Sequence, residues 1–399
     1  MPSRSGEETE SSGGEMRISR FVSLAVGAVA VALVLPSSAP TRVEAEPARA
    51  YPAGAPSYRV ETVASGLDIP WDMTFIGQLM LFDERPGRVW SQRPGQPPQR
   101  VTLPLPPLLV NSEGGLLGIV ADPGASRNGY FYTCQSVADA SGSAKDIEVW
   151  KWRLTSDTTA EKVAVLVKGL PVGYGRHNGC RLVFRSERML YVGTGDAAQG
   201  KNPQNLKSLG GKVLRVRSDG TIPRSNPFYR RGGNARYVWS YGHRNVQGLV
   251  VRPGTNQLWS AEHGPDRDDE INLVTKGSNG GWNPVPGYNE SVPMTNRKLY
   301  PKATAARWKS GKPTVATSGA TFLTGKQWGA WDGAMVVAML KGEGILVFSV
   351  DSHSHLKKVA TIVTDHGRIR SVHPGPDGSL YFTTSNGSTD GIYRLVPQG

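Results

Sequence analysis

Three stretches of this 399-residue chain carry side chains in arrangements that could do chemistry. "RHNGCRLVF" (176–184) places His177 immediately before an apolar strand, and imidazole is the side chain that exchanges protons near neutral pH. "YGHRNVQGL" (241–249) sets Arg244 beside Asn245, again just before an apolar run. His243, Arg244 and Asn245 in a row are too polar to enter a buried strand without something to satisfy them. "EHGPDRDDEINL" (262–273) is rich in oxygen donors. Gly264 and Pro265 could offer backbone carbonyls to a hard cation, and Glu270 could bind a second ion with a carbonyl near Gly280, although the spacing is not that of an EF-hand. Each stretch also has a plainer reading. A histidine in a β-rich protein is often only a buried polar group with a partner, Arg244 could sit in a salt bridge with Asn245 capping a turn, and the acidic stretch could be a solvated loop.

Side chains so far apart in sequence act together only if the fold gathers them. The 48 glycines and 29 prolines point to many turns, and no helical periodicity of useful length appears. Six stretches repeat one pattern: an apolar strand, a short polar or glycine-containing turn, a second apolar or aromatic strand, then a loop. The first is "IPWDMTFIGQLMLFDERPGRVW" and the last "RIRSVHPGPDGSLYFTTSNGSTDGIYRL", with the others beginning near residues 114, 177, 243 and 318. Such units cannot bury both faces alone, whereas sheets packed radially around a channel can. The expected fold is therefore all-β, a six-bladed β-propeller over residues 51–399, with "SYRVETVASGL" completing the last blade. A sandwich pair would leave the repeat unexplained. In a propeller His177, Arg244 with Asn245, and Arg368 with Arg370 all stand where an innermost strand begins, so they converge on one axial pocket.

The amino terminus reads as an export signal. "MRISR" is basic, "FVSLAVGAVAVALVL" is apolar but short for a membrane span, and Ala48-Arg49-Ala50 supplies small residues for cleavage. Translation is expected to start at Met16, with residues 1–50 removed and the protein secreted or held at the cell envelope. The formal charge of +13 is scattered, without a basic arm, so nucleic acid is not an expected partner; loose attraction to an anionic envelope is. Cys134 and Cys180 are the only cysteines, equally consistent with a disulfide and with two buried thiols. No GxSxG, HExxH, CxxC, P-loop or dinucleotide glycine motif occurs, which removes the usual support for serine hydrolases, zinc peptidases and nucleotide-dependent enzymes.

Taken together, "EGGLLGIVADP", "HNGCRLVF", "LYVGTGD", "GGKVLRVRSDGTIPRSNPF", "YGHRNVQGL", "EHGPDRDDEINL" and "NGGW" resemble the soluble quinoprotein glucose/sorbosone dehydrogenases from about residue 57 onward. The resemblance implies oxidation of an aldose or polyol hydroxyl by hydride transfer to pyrroloquinoline quinone (PQQ), with Ca2+ polarising the quinone. It implies His177 as general base and Arg244 as the cation at the reacting carbonyl. Asn245, Lys341, Arg368 and Arg370 would hold the tricarboxylate cofactor. Gly264 and Pro265 would present carbonyls to the quinone-bound calcium, and Glu270 with the Gly280 carbonyl would form a separate structural calcium site. Electrons would leave to an external acceptor, since no haem motif is present, and the protein would be a monomer or homodimer. Two positions depart from the glucose-oxidising pattern: Arg176 stands where a carboxylate precedes the histidine, and Glu113 where a glutamine is usual. A non-catalytic propeller binding glycans or an anionic ligand, and a calcium-dependent lactonase-type hydrolase, are the rival readings.

Overall fold

The computed structural model describes residues 54–186 and 188–398; the export segment expected over residues 1–50 lies outside them. Among the described residues, twenty-four strands form six four-stranded antiparallel sheets. Strand β1 (Ser57–Leu67) is followed by blade 1 (β2 Pro70–Ile76, β3 Leu79–Glu84, β4 Arg88–Gln92, β5 Gln99–Arg100) and blade 2 (β6 Leu116–Ala121, β7 Tyr130–Ala138, β8 Ala144–Ser156, β9 Thr159–Leu170). Blade 3 holds β10 (Gly179–Ser186), β11 (Met189–Thr194), β12 (Lys212–Arg217) and β13 (Val238–Tyr241). Blade 4 holds β14 (Val246–Val251), β15 (Leu258–Glu262), β16 (Glu270–Val274) and β17 (Trp308–Lys309). Blade 5 holds β18 (Thr317–Phe322), β19 (Met335–Met339), β20 (Gly344–Val350) and β21 (Leu356–Ile362). Blade 6 is built from β22 (Ile369–Pro374), β23 (Leu380–Thr384) and β24 (Asp390–Gln398), and β1 pairs with β24 from Ser57 opposite Gln398 to Leu67 opposite Asp390. The ring is thus closed by joining the two ends of the chain in one sheet, as the sequence pattern predicts.

The innermost strands β2, β6, β10, β14, β18 and β22 pack in a closed cycle, each against the next. Because every sheet is covered on both faces by its neighbours, the middle strands read as continuous apolar runs: "MVVAM" of β19 is buried at all five positions. The outer strands β9 and β21 mix buried residues with many exposed ones, as expected of sheet edges facing water. Large apolar clusters fill the spaces between blades, such as Leu117, Tyr132, Cys134, Cys180, Leu182 and Val192 between blades 2 and 3.

Two features lock the blades that carry the strand starts. Cys134 on β7 and Cys180 on β10 form a disulfide, resolving a choice the sequence leaves open; closing a 46-residue separation stabilises by about 4 kcal/mol in the chain-entropy view. Across the channel, the buried Asp72 of β2 accepts from Arg181 of β10 at 2.6 Å, from His373 at 2.6 Å and from Ser371 at 3.0 Å, the last two on β22. Arg181 also donates to the Gln247 carbonyl on β14 at 2.8 Å and lies 4.4 Å from the Trp71 ring. Blades 1, 3, 4 and 6 are therefore tied through one ion-pair network.

Candidate active site

His177 occupies the turn before β10 with a φ of 54°, a conformation costly for a residue with a Cβ and retained only where surroundings enforce it. The enforcing contacts are close. The His177 carbonyl packs so near Gly195 that a Cβ there would sit 1.7 Å from it, so this end of "LYVGTGD" must be glycine. Ala197 donates its N–H to the same carbonyl at 3.2 Å.

Asp196 organises the imidazole. The carboxylate is fully buried, and Oδ1 accepts from His177 Nδ1 and from the Ala198 N–H, both at 2.8 Å. Oδ2 accepts from Trp282 Nε1 and from the Tyr288 hydroxyl, also at 2.8 Å each. The Tyr288 oxygen lies 2.9 Å from His177 Nδ1. Burial and the Asp196 charge push the Tyr288 hydroxyl pKa upward, so its proton stays on the phenol and is committed to Asp196. Both neighbours of Nδ1 are then acceptors, and Nδ1 must carry the ring proton. The Nε2 lone pair is left as the basic atom.

Arg244 and Asn245 precede β14 and join this group through the backbone, with Asp196 N donating to the Arg244 carbonyl at 2.7 Å. The Arg244 guanidinium reaches the His263 carbonyl at 3.1 Å and Glu290 at 2.5 Å, and its Nε is buried without a partner among the described residues. Asn245 accepts from the Gly179 N–H at 3.0 Å and donates to Glu113 at 3.2 Å. A cavity of about 400 Å3 adjoins these residues, lined by Trp71, Arg85, Glu113, Asn178, Gly179, Gln247, Arg368 and Arg370 among others. Burial draws the Arg370 guanidinium down to about 9, with Arg181, Arg368 and Arg85 adding to the effect and Glu113 opposing it. Nε of Arg85 and of Arg370 are likewise buried and, among the described residues, unpartnered. This surplus of guanidinium donors fits a polyanionic molecule. Arg368 and Arg370 line this cavity, whereas Lys341 is exposed and stands outside the lining, one residue beyond the Leu340 carbonyl that Arg368 contacts at 3.4 Å.

The expected metal positions divide. Gly264 adopts a turn that a side chain would obstruct, since a Cβ at this position would fall 2.1 Å from the Arg267 carbonyl. Asp269 fixes that turn by accepting N–H bonds from Gly264, Val315 and Ala316 at 2.6 to 2.8 Å. Among the described residues no hydrogen bond reaches the Gly264 or Pro265 carbonyl, so these hard oxygens fit a calcium ion. Glu270 differs. Its Oε1 accepts from Thr295 at 2.8 Å and pairs with Lys309 Nζ at 3.2 Å, and burial together with Glu262 pushes its pKa to about 7. The Lys309 ammonium already supplies positive charge there, while among the described residues no hydrogen bond reaches the Gly280 carbonyl. Glu270 is thus already ion-paired, and among the described residues no cluster of three or more His, Cys, Asp or Glu side chains forms a metal site.

The well is also less uniformly cationic than the strand starts suggest, because Asp196, Glu113 and Glu290 interleave with the arginines. The sequence motifs do not single out Asp196, Tyr288 or His263. Burial, with Arg370, Arg244 and His177 crowding it, holds the His263 pKa well below the usual value, and its Nε2 has no partner among the described residues. The carboxylate closing "LYVGTGD" is the one legible signal; Tyr288 lies in a loop with no pattern of its own.

The chain is thus a six-bladed propeller with an oriented imidazole beside a guanidinium-rich cavity. The glucose/sorbosone dehydrogenase family profile matches residues 67–394, and the chain belongs to that family. Its relatives include the aldose sugar dehydrogenase YliI of Escherichia coli, 31% identical over 85% of this chain and 93% of the relative. The crystal structure of the soluble E. coli aldose sugar dehydrogenase in its apo form superposes with a TM-score of 0.77 at 30% identity, over 86% of this chain and all of the other. A PQQ-bound aldose sugar dehydrogenase from Streptomyces coelicolor superposes at 0.72 with 27% identity, over 87% of this chain and all of the other.

Proposed function

We propose that the protein oxidises a hydroxyl of an aldose or related polyol with PQQ as cofactor and calcium beside it, and passes the electrons to an external acceptor. When bound, PQQ supplies a two-electron acceptor and calcium a Lewis acid. Arg85, Arg368 and Arg370, with Asn245, hold the carboxylates of the cofactor, and the Gly264 and Pro265 carbonyls are the ligands this chain offers to the ion. His177 Nε2 takes the hydroxyl proton of the sugar, Asp196 and Tyr288 keep the ring in the required tautomer, and Arg244 offers positive charge where negative charge grows. Export of the protein is part of the reading, supported by the basic, apolar and small-residue order of residues 16–50.

The observation that carries the proposal is the pairing of an oriented imidazole with buried arginine donors in the adjoining well that lack partners among the described residues. The test is titration of purified apoprotein with PQQ and calcium, followed by a panel of sugars with an artificial electron acceptor. Saturable PQQ uptake and sugar-dependent reduction of the acceptor are expected. Absence of any calorimetric or absorbance response to PQQ in the calcium-loaded protein overturns the proposal, and uptake of sugar without turnover points to a binding propeller.

A further inference from the structure

The loop after Trp282 delivers a carboxylate to the reacting groups that none of the strand-start motifs contains. Glu290 Oε1 lies 2.5 Å from Arg244 Nη2, and its Oε2 is 3.9 Å from Arg176 Nη2. Two residues earlier, Tyr288 touches His177 and Asp196. The loop is anchored on either side: Asn289 N donates to the Pro284 carbonyl at 2.8 Å, and Arg267 donates to the Ser291 carbonyl. The Glu290 side chain is 37% exposed while that of Arg244 is 6% exposed, so the acid is the accessible member of the pair. A carboxylate offers about four lone-pair sites, and the two guanidinium contacts leave capacity for further donors.

We propose that Glu290 positions the substrate: it accepts hydrogen bonds from the hydroxyls of a neutral sugar brought against His177, and it repels sugars that carry their own carboxylate. This inference rests on the sugar-oxidising reading above. Arg176, next to the histidine, lies 3.9 Å from Glu290, so the negative charge near His177 in this part of the site comes from a different segment of the chain. Glu290 acts as a positioning residue, through hydrogen bonds to substrate and through its hold on Arg244.

The experiment compares wild type, Glu290→Gln and Glu290→Asp on an aldose and on the uronic acid of the same configuration. It measures kcat and KM in the PQQ- and calcium-loaded protein, and sugar binding to the cofactor-free protein by calorimetry. Loss of a charged acceptor should raise KM for the aldose about ten-fold with kcat within about three-fold. Preference for aldose over uronate should fall by about ten-fold or more, Glu290→Asp should recover part of it, and the calorimetric aldose affinity should weaken in parallel. A fall in kcat with KM and preference unchanged would show that Glu290 serves only to hold Arg244, and would overturn the proposal. If wild type oxidises no aldose but sugar binding still depends on Glu290, the dehydrogenase reading fails and the positioning role stands. If neither KM nor binding responds to the substitution, the positioning role fails.

Discussion

Replacing Asp196 with asparagine changes few atoms yet should be among the most damaging substitutions in the molecule. Four donors converge on its carboxylate: His177 Nδ1 and Ala198 N on one oxygen, Trp282 Nε1 and the Tyr288 hydroxyl on the other. An amide presents one oxygen and one NH2 group, so whichever way it is turned, two donors face a donor. With NH2 toward His177, the ring must shift its proton to Nε2 and loses its basic atom there. With NH2 toward Trp282 and Tyr288, the indole N–H faces a donor, and the phenol, no longer committed to a carboxylate, is free to donate to Nδ1 in competition with the ring's own proton. A buried donor left without a partner costs about 1–3 kcal/mol, so the variant should lose about 2–4 kcal/mol of stability. Turnover should fall by a factor on the order of 1,000, as expected when a base is held in the wrong tautomer. The assay is steady-state reduction of an artificial acceptor by the PQQ-loaded variant, with PQQ titration and thermal melting as controls for uptake and folding. His177→Ala, expected to retain PQQ uptake and lose about 100-fold or more in turnover, supplies the comparison. The double variant should be scarcely worse than the single ones, because the two residues act as a unit. Turnover of Asp196→Asn within ten-fold of wild type, or losses that simply multiply in the double variant, would refute the tautomer reasoning.

Three further outcomes are expected. Gly195→Ala would force a Cβ to within 1.7 Å of the His177 carbonyl, so the turn must move; melting temperature should drop and turnover fall by about ten-fold or more in protein that still folds. Arg370→Gln keeps hydrogen-bonding capacity toward Gln247 but removes a buried charge from the well, and should weaken PQQ binding by about ten- to one hundred-fold in a direct titration; unchanged affinity would remove the cavity from the cofactor site. Asp72 sits where burial alone would raise its pKa, but Arg181 and His373 outweigh burial and hold it below the ordinary 3.8. Its contribution to stability is therefore complete above 3.8 and is lost as pH falls through the lower, folded-state value, so Asp72→Asn should be less stable at neutral pH and show a flatter acid-unfolding curve than wild type.

Much of the architecture is legible in the chain. Strand and turn preferences act over a few residues, so six recurrences of apolar strand, glycine-containing turn and aromatic strand specify six sheets, and a leftover strand at 57–67 specifies how the ring closes. The same local logic places His177, Arg244, Asn245, Arg368 and Arg370 at or near inner-strand starts, and hence near the axis. What surrounds those residues is not legible, because it depends on which loops of different blades meet. Tyr288 and Glu290 come from a loop with no periodic signal, and only its path over blade 3 brings them to His177 and Arg244. Lys309 meets Glu270 because β17 pairs with β16, a register no motif encodes, and this changes an apparent ion ligand into half of a salt bridge. Cys134 and Cys180 bond because β7 of one blade abuts β10 of the next. Short-range patterning thus suffices for the blades and for the residues at their mouths. The partners that set the charge, tautomer and reach of those residues come from the folded ring alone, because their contacts join positions up to a hundred residues and more apart.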